Sequence, residues 1–166
     1  MNPAAELEGV DSPLREEFLA AARAGALAKA DGPDHLTASA LVLDASRTRV
    51  LLVLHKKVRR WMQPGGHLEP GDASLAAAAL REAVEETGVT DLVLASPVPV
   101  DLDRHDAPCG QRFHLDVRFL VLAPDGAATT VSDESDDVRW FPVDALPDDS
   151  VEDLARLVSR GLPAPS

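Results

Sequence analysis

A single cysteine, Cys109, is all this chain offers for cross-linking, and tyrosine is missing altogether. An internal disulfide is excluded, and a reducing compartment is the expected setting. Positive charge is also scarce: 16 Lys and Arg stand against 28 Asp and Glu, for a formal net charge of -12. Such a chain repels DNA and RNA, so no nucleic-acid polymer is expected as a partner. A small phosphorylated substrate fits only if divalent cations stand between its phosphates and the protein's carboxylates. No apolar run approaches the roughly 20 residues of a membrane-spanning helix. The opening Met1–Glu6 lacks the basic-then-apolar layout of a secretory leader. No membrane partner and a cytoplasmic location are therefore expected, and 166 residues suit one compact domain.

Residues 1–12 read as a loose lead, followed by a helix with Ser12 as cap and Pro13 in its first turn, running to Lys29. Leu36–Leu43 and Val50–Leu54 are apolar runs of strand length, suited to a sheet covered on both faces. Trp61–Asp72, with two prolines and three glycines, reads as loop, and Ser74–Thr87 as a helix stopped by Gly88. Strand-like segments recur near 92–95 and 98–102. In Arg112–Leu122, Phe113, Leu115, Val117, Phe119 and Val121 alternate with His114, Asp116 and Arg118, which predicts one core face and one polar face. Val138–Phe141 is a short strand and Ser150–Arg160 a last helix. This mixture predicts an α/β sandwich with a mixed sheet.

Glu82, Glu85 and Glu86 stand at i, i+3 and i+4, so their carboxylates share one face of the helix that Gly88 ends. The placement is unfavourable, because the helix C-terminus is already partly negative and like charges at i,i+4 cost about 0.2–0.5 kcal/mol. A solvated acidic face is the plain alternative. A hard divalent cation, Mg²⁺ or Mn²⁺, would offset the repulsion. A soft-metal site is disfavoured, with one cysteine and no close histidine pair. Upstream, Gln63-Pro64-Gly65-Gly66-His67 has glycines where backbone must approach a ligand closely, and a loop carbonyl there could complete the metal site.

Taken together, Gly66–Val89 resembles the Nudix box, the signature of the Nudix hydrolase family. Arg81-Glu82-Ala83-Val84-Glu85-Glu86-Thr87-Gly88-Val89 fits its second half. Upstream, Asp72 stands where the family usually has Glu, and eight residues rather than seven separate it from Arg81. Glu69 is placed to share the role of Asp72. The order of segments resembles the family from His35 to Leu146, which implies a Nudix-like α/β/α sandwich. Residues 1–34 then form an N-terminal helical extension and 35–166 the hydrolase domain.

The resemblance implies Mg²⁺-dependent hydrolysis, with Mn²⁺ as a substitute, of a nucleoside diphosphate linked to another group X. Glu82 and Glu86 are the expected principal metal ligands, with Glu85 completing or sharing the site and the Gly66 carbonyl contributing. Arg81 is expected to orient the glutamates by salt bridge. In several Nudix enzymes a carboxylate about six residues before a Trp-containing strand acts as base or extra ligand. Glu134 has that spacing from Trp140, in a loop whose plain reading is a solvated turn.

Arg104, His105, His114, Asp116 and Arg118 are candidates for substrate contact, the last three from the polar face of one strand. Lys56, Lys57, Arg59 and Arg60 either attract phosphates or form a solvated basic turn, and Trp61 either stacks on a base or packs. No tyrosine marks a dinucleoside polyphosphate enzyme, and neither position 104 nor 105 is the proline of many ADP-ribose pyrophosphatases. Nucleoside triphosphates, nucleotide sugars and ADP-ribose all stay open as substrates. The competing class is a non-catalytic nucleotide-binding or regulatory module, whose usual sign, loss of a box glutamate, is absent. The N-terminal helix is available to cover a sheet edge or to serve a homodimer.

Overall fold

The computed structural model describes residues 1–133 and 135–164. Two helices come first, α1 (Pro3–Leu7) and α2 (Arg15–Ala24), then β1 (Asp34–Asp44), β2 (Arg49–His55), β3 (Trp61–Met62) and β4 (Gly65–His67). Helix α3 (Leu75–Thr87) precedes β5 (Val93–Leu94), β6 (Asp101–Asp106), β7 (Phe113–Ala123), β8 (Ser135–Pro142) and α4 (Leu154–Gly161). The strands form one mixed sheet. Among the described residues, no helix is long and apolar enough to cross a membrane.

β1 lies parallel to β7 along its whole length. Its other edge is shared: β2 pairs with it at Val42 and Leu43, and β4 at Thr37 to Ser39. β4 thus occupies the edge of β1 beside Thr37 to Ser39, and Thr37 and Ser39 line the cleft described below.

β1 is apolar in both directions because both of its faces are covered. Leu36, Ala38, Ala40 and Val42 join Leu75, Ala79 and Ala83 of α3 and Phe18 of α2 in one core cluster. Leu41 and Leu43 meet Leu154, Leu157 and Val158 of α4 in the other. Helices on both faces make the α/β/α sandwich.

Several local expectations need correction. The lead at 1–12 is not loose: it holds α1, and Leu7 and Val10 are buried. Five residues are too few to display a helical period. The next helix ends at Ala24 rather than Lys29, because Gly25 turns left-handed at φ 76°. Strands β3 and β4 lie inside the glycine- and proline-rich segment 61–72, which had no strand composition to reveal them. The strand near 98–102 begins at Asp101 and runs on to Asp106, through polar residues that hide it.

The polar side of β7 is itself buried. His114, Asp116 and Arg118 are 8%, 3% and 2% exposed. Register explains it, since polar residues line up across adjacent strands. Asp101, Arg118, Ser39 and Gly65 form one row and Asp103, Asp116, Thr37 and His67 the next, with His105, His114 and His35 in a third.

Arg118 is the hub. It reaches Asp116 at 2.9 Å, Asp103 at 3.1 Å and Asp101 at 3.5 Å, and it also pairs with Asp153 at the start of α4. Burial pushes Asp116 up, but the Arg118 charge outweighs it and holds the carboxyl below its ordinary 3.8. At Asp103, burial is likewise outweighed, by the His105 hydrogen bond and Arg118.

Replacing Arg118→Met leaves the buried Asp116 without its paired guanidinium, while Arg156 still reaches Asp101, Asp103 and Asp153, and a loss of about 3–5 kcal/mol in urea denaturation is expected. Because the folded values of Asp103 and Asp116 are depressed, their contribution is full above 3.8 and disappears as pH falls through the folded values. Thermal melts at stepped pH should therefore show stability falling below about pH 4.

Candidate active site

Helix α3 is fixed at both ends. The Ser74 hydroxyl accepts from the Ala77 N–H at 3.0 Å, and the Glu6 carboxylate accepts from Leu75 and Ala76 at 2.9 and 3.1 Å. Together they satisfy amides that a helix start leaves without partners. At the other end Gly88 adopts the left-handed conformation, φ 72°. The alanine-rich side packs into the core, which sets the azimuth of the acidic residues.

Arg81 organises what projects from that helix. It forks onto Asp72 with two bonds of 3.0 Å, donates to the His67 carbonyl at 3.0 Å, and reaches Glu82 at 2.9 Å and Glu85 at 3.0 Å. Asp72 itself accepts from the Glu69 N–H at 2.8 Å, whereas the Glu69 carboxylate stands 3.9 Å from Arg81. The shorter Asp, with one more loop residue behind it, still completes a planar two-bond pair. Hydrogen bonds from Arg81, outweighing burial, hold Asp72 below its usual range.

The three box glutamates are not equivalent. The Glu86 residue is 4% exposed and the Glu82 side chain 13%, while the Glu85 side chain is 57% exposed beside Arg81. Glu86 accepts from the Gly65 N–H at 3.2 Å. Gly66 lies so near Glu82 that an added Cβ would stand 2.8 Å from its carboxylate atoms. Strand β4 can approach this closely only without side chains at 65 and 66.

Beside these carboxylates a cleft of about 270 Å³ is walled by Thr37, Ser39, Gly65, Gly66, His67, Glu86, His105, Cys109, His114 and Asp116. His55 and Lys57 stand on its β2 side. Asp116 accepts from Thr37 and Ser39 at 3.1 and 2.8 Å. Burial works against protonation of His105, but the Asp103 hydrogen bond and the Asp116 charge prevail, so its pKa is raised. Burial and the neighbouring imidazoles push His114 down to about 4.

Other predicted contacts sit elsewhere. Arg104 pairs with Glu17 of α2 at 3.1 Å and lies 5.0 Å over the Phe113 ring, away from the cleft. Arg118 faces an adjoining groove but is held by its four carboxylates. Trp61 is 6% exposed and packs edge-on against Phe141 at 4.8 Å, so it is a core residue rather than an open platform. Lys56 binds the Asp133 carbonyl, Arg59 pairs with Asp136, and Arg60 binds the Ser150 carbonyl at 2.9 Å, leaving Lys57 as the member of that turn on the cleft wall. Glu134 lies outside the described residues.

One grouping escaped the spacing argument. His35, His67 and the neighbouring pair Cys109 and His114, drawn from three separate stretches of sequence, have ligand-type atoms within 4.8 Å of one another. Pairing of β4 and β7 with β1 brings the three histidines together, and sequence alone does not display such pairing.

The two glycines should respond differently to alanine. At Gly65 the new Cβ would fall 2.3 Å from the Ser39 Cβ and 2.6 Å from its Cα, so Gly65→Ala is expected to lose about 1–3 kcal/mol in chemical denaturation. At Gly66 it would meet only the end of a flexible side chain. Gly66→Ala should keep most of its stability while displacing Glu82, read as weaker Mn²⁺ binding by calorimetry.

Comparison with known proteins agrees with this geometry. The sequence model of the NUDIX domain matches residues 33–160. A Mycobacterium tuberculosis (strain CDC 1551 / Oshkosh) protein named MutT4 is 31% identical over 118 residues, 70% of this chain and 43% of that protein. The chain thus spans less than half the length of that curated relative. Among solved structures, a NUDIX-family hydrolase from Clostridium perfringens superposes with a TM-score of 0.66 at 23% identity, over 76% of this chain and 95% of that one. A C. elegans Ap4A hydrolase gives 0.64 at 18% identity, over 75% and 93%. The match covers the glycine strand, the carboxylate helix and the cleft wall in one stretch, and the chain belongs to the NUDIX domain family.

Proposed function

We propose that this protein is a Mg²⁺-dependent hydrolase, able to use Mn²⁺, that cleaves the pyrophosphate bond of a nucleoside diphosphate linked to another group. The observation that carries the reading is the gathering of Glu82 and Glu86 against the Gly65–Gly66 backbone at the edge of the cleft. These are hard oxygen donors, held at close range where a helix end would otherwise repel them, and they suit a hard divalent cation. Glu82 and Glu86 would hold the metal, with the Gly66 carbonyl contributing and Glu85 sharing through its contact with Arg81. Bound there, the metal would neutralise pyrophosphate charge and make water a better nucleophile.

The chain's own groups supply the rest. Arg81 keeps the carboxylates oriented from behind and does not touch the substrate. Lys57 offers positive charge to phosphate oxygens on the cleft wall, and His105, held by Asp103, offers a ring nitrogen there. The Asp116 carboxylate suits the donors of a base or ribose better than a phosphate. Glu134 is the candidate general base, from its sequence position six residues before Trp140. NUDIX family membership and the hydrolase and Ap4A hydrolase neighbours support this reaction class. Nucleoside triphosphates, nucleotide sugars and ADP-ribose are the compounds to try first.

Incubation with Mg²⁺ and such a panel, followed by phosphate measurement with and without added phosphatase, tests the proposal. Hydrolysis of at least one compound is expected, and Glu82→Gln or Glu86→Gln should lower its rate by about 10²-fold or more. Binding without any product would instead favour a nucleotide-binding module. For Glu134, the pH–rate profile decides: Glu134→Gln should remove one ionisation from kcat/KM, and an unchanged profile would take it out of the mechanism.

A further inference from the structure

We infer that His35, His67, Cys109 and His114 form a binding site for one zinc-class transition metal ion, separate from the glutamate site and built of imidazole and thiolate donors. The four residues come from β1, β4, the β6–β7 connection and β7, and their donor atoms lie within 4.8 Å of one another. The Cys109 sulfur and His114 Nε2 are already 3.3 Å apart. Bonds of about 2.0–2.1 Å to nitrogen and 2.3 Å to sulfur put tetrahedral donors roughly 3.3–3.7 Å apart. The set therefore needs a contraction of about 1 Å, within the side-chain rotations of its half-buried members, His67 and Cys109.

A second observation points to a ligand. His35 is fully buried, yet neither of its ring nitrogens has a hydrogen-bond partner, an arrangement that leaves a polar group unsatisfied unless something binds it. Its ring stands 5.2 Å from that of His67 and 4.9 Å from that of His114. Three imidazoles this close repel one another when protonated and cooperate when they share a cation. One thiolate and three imidazoles fill a tetrahedron and match zinc, in contrast to the all-oxygen donors of Glu82 and Glu86. With four protein ligands no position stays open for substrate, so the ion's work is to fasten the segment around Cys109 to the sheet beside the cleft. Binding displaces the Cys109 thiol proton to solvent.

Cobalt is the probe. Reduced, metal-stripped protein titrated with Co²⁺ should develop a thiolate-to-cobalt charge-transfer band and the intense d–d bands of tetrahedral cobalt, saturating at one equivalent. Added Zn²⁺ should bleach both and raise the melting temperature. Cys109→Ser, with its fold checked by circular dichroism, should lose the charge-transfer band and the zinc-dependent rise. The double variant Glu82→Gln, Glu86→Gln should keep both. A wild-type spectrum with only weak octahedral bands would overturn the assignment, and so would a charge-transfer band that survives in Cys109→Ser.

Discussion

Everything in the cleft depends on keeping negative charge where a helix end resists it. Glu82, Glu85 and Glu86 sit in the last two turns of α3, with no basic residue in the final turn to ease the helix dipole. Arg81 is the compensation: one guanidinium holds Asp72, Glu82, Glu85 and the His67 carbonyl at about 3 Å each. It ties loop, helix and strand β4 into one unit, and a lysine, which lacks the planar fork, would not hold the same set. Strand β4 then presents bare backbone to the two buried acids.

The sheet makes a parallel compromise. One of its faces changes character along the strands, from Leu41, Leu43 and Leu120 beneath α4 to Thr37, Ser39, Asp116 and His114 in the cleft. The polar stretch contributes little hydrophobic stabilisation and relies on pairing instead, with Arg118 as the shared cation. Since Asp153 belongs to that network, the seat of α4 and the floor of the cleft are electrostatically joined.

How much of this was legible depended on the range of the signal. Ser74 and Gly88 bracket α3 because caps are local chemistry, and the glutamate spacing follows from helical geometry alone. The apolar cores of β1 and β2 were equally plain. Strands β4 and β6 were not, since their residues are glycine or polar and they exist only by pairing with β1 and β7. The alternation of β7 is plain in its residues, but the burial of its polar side depends on what neighbouring strands place alongside. Arg104 and Arg118, selected by proximity in sequence or strand face, are held by Glu17 and by four aspartates, partners that only the folded chain identifies.

Glu6 gives the amino-terminal segment a share in the site. Its carboxylate caps the first two amides of the helix whose far end carries the acidic cluster. The family match starts at residue 33, so anyone trimming an expression clone to the recognised region would discard that cap together with Leu7 and Val10. The shortened protein would keep every signature residue while its acidic helix frayed from the opposite end.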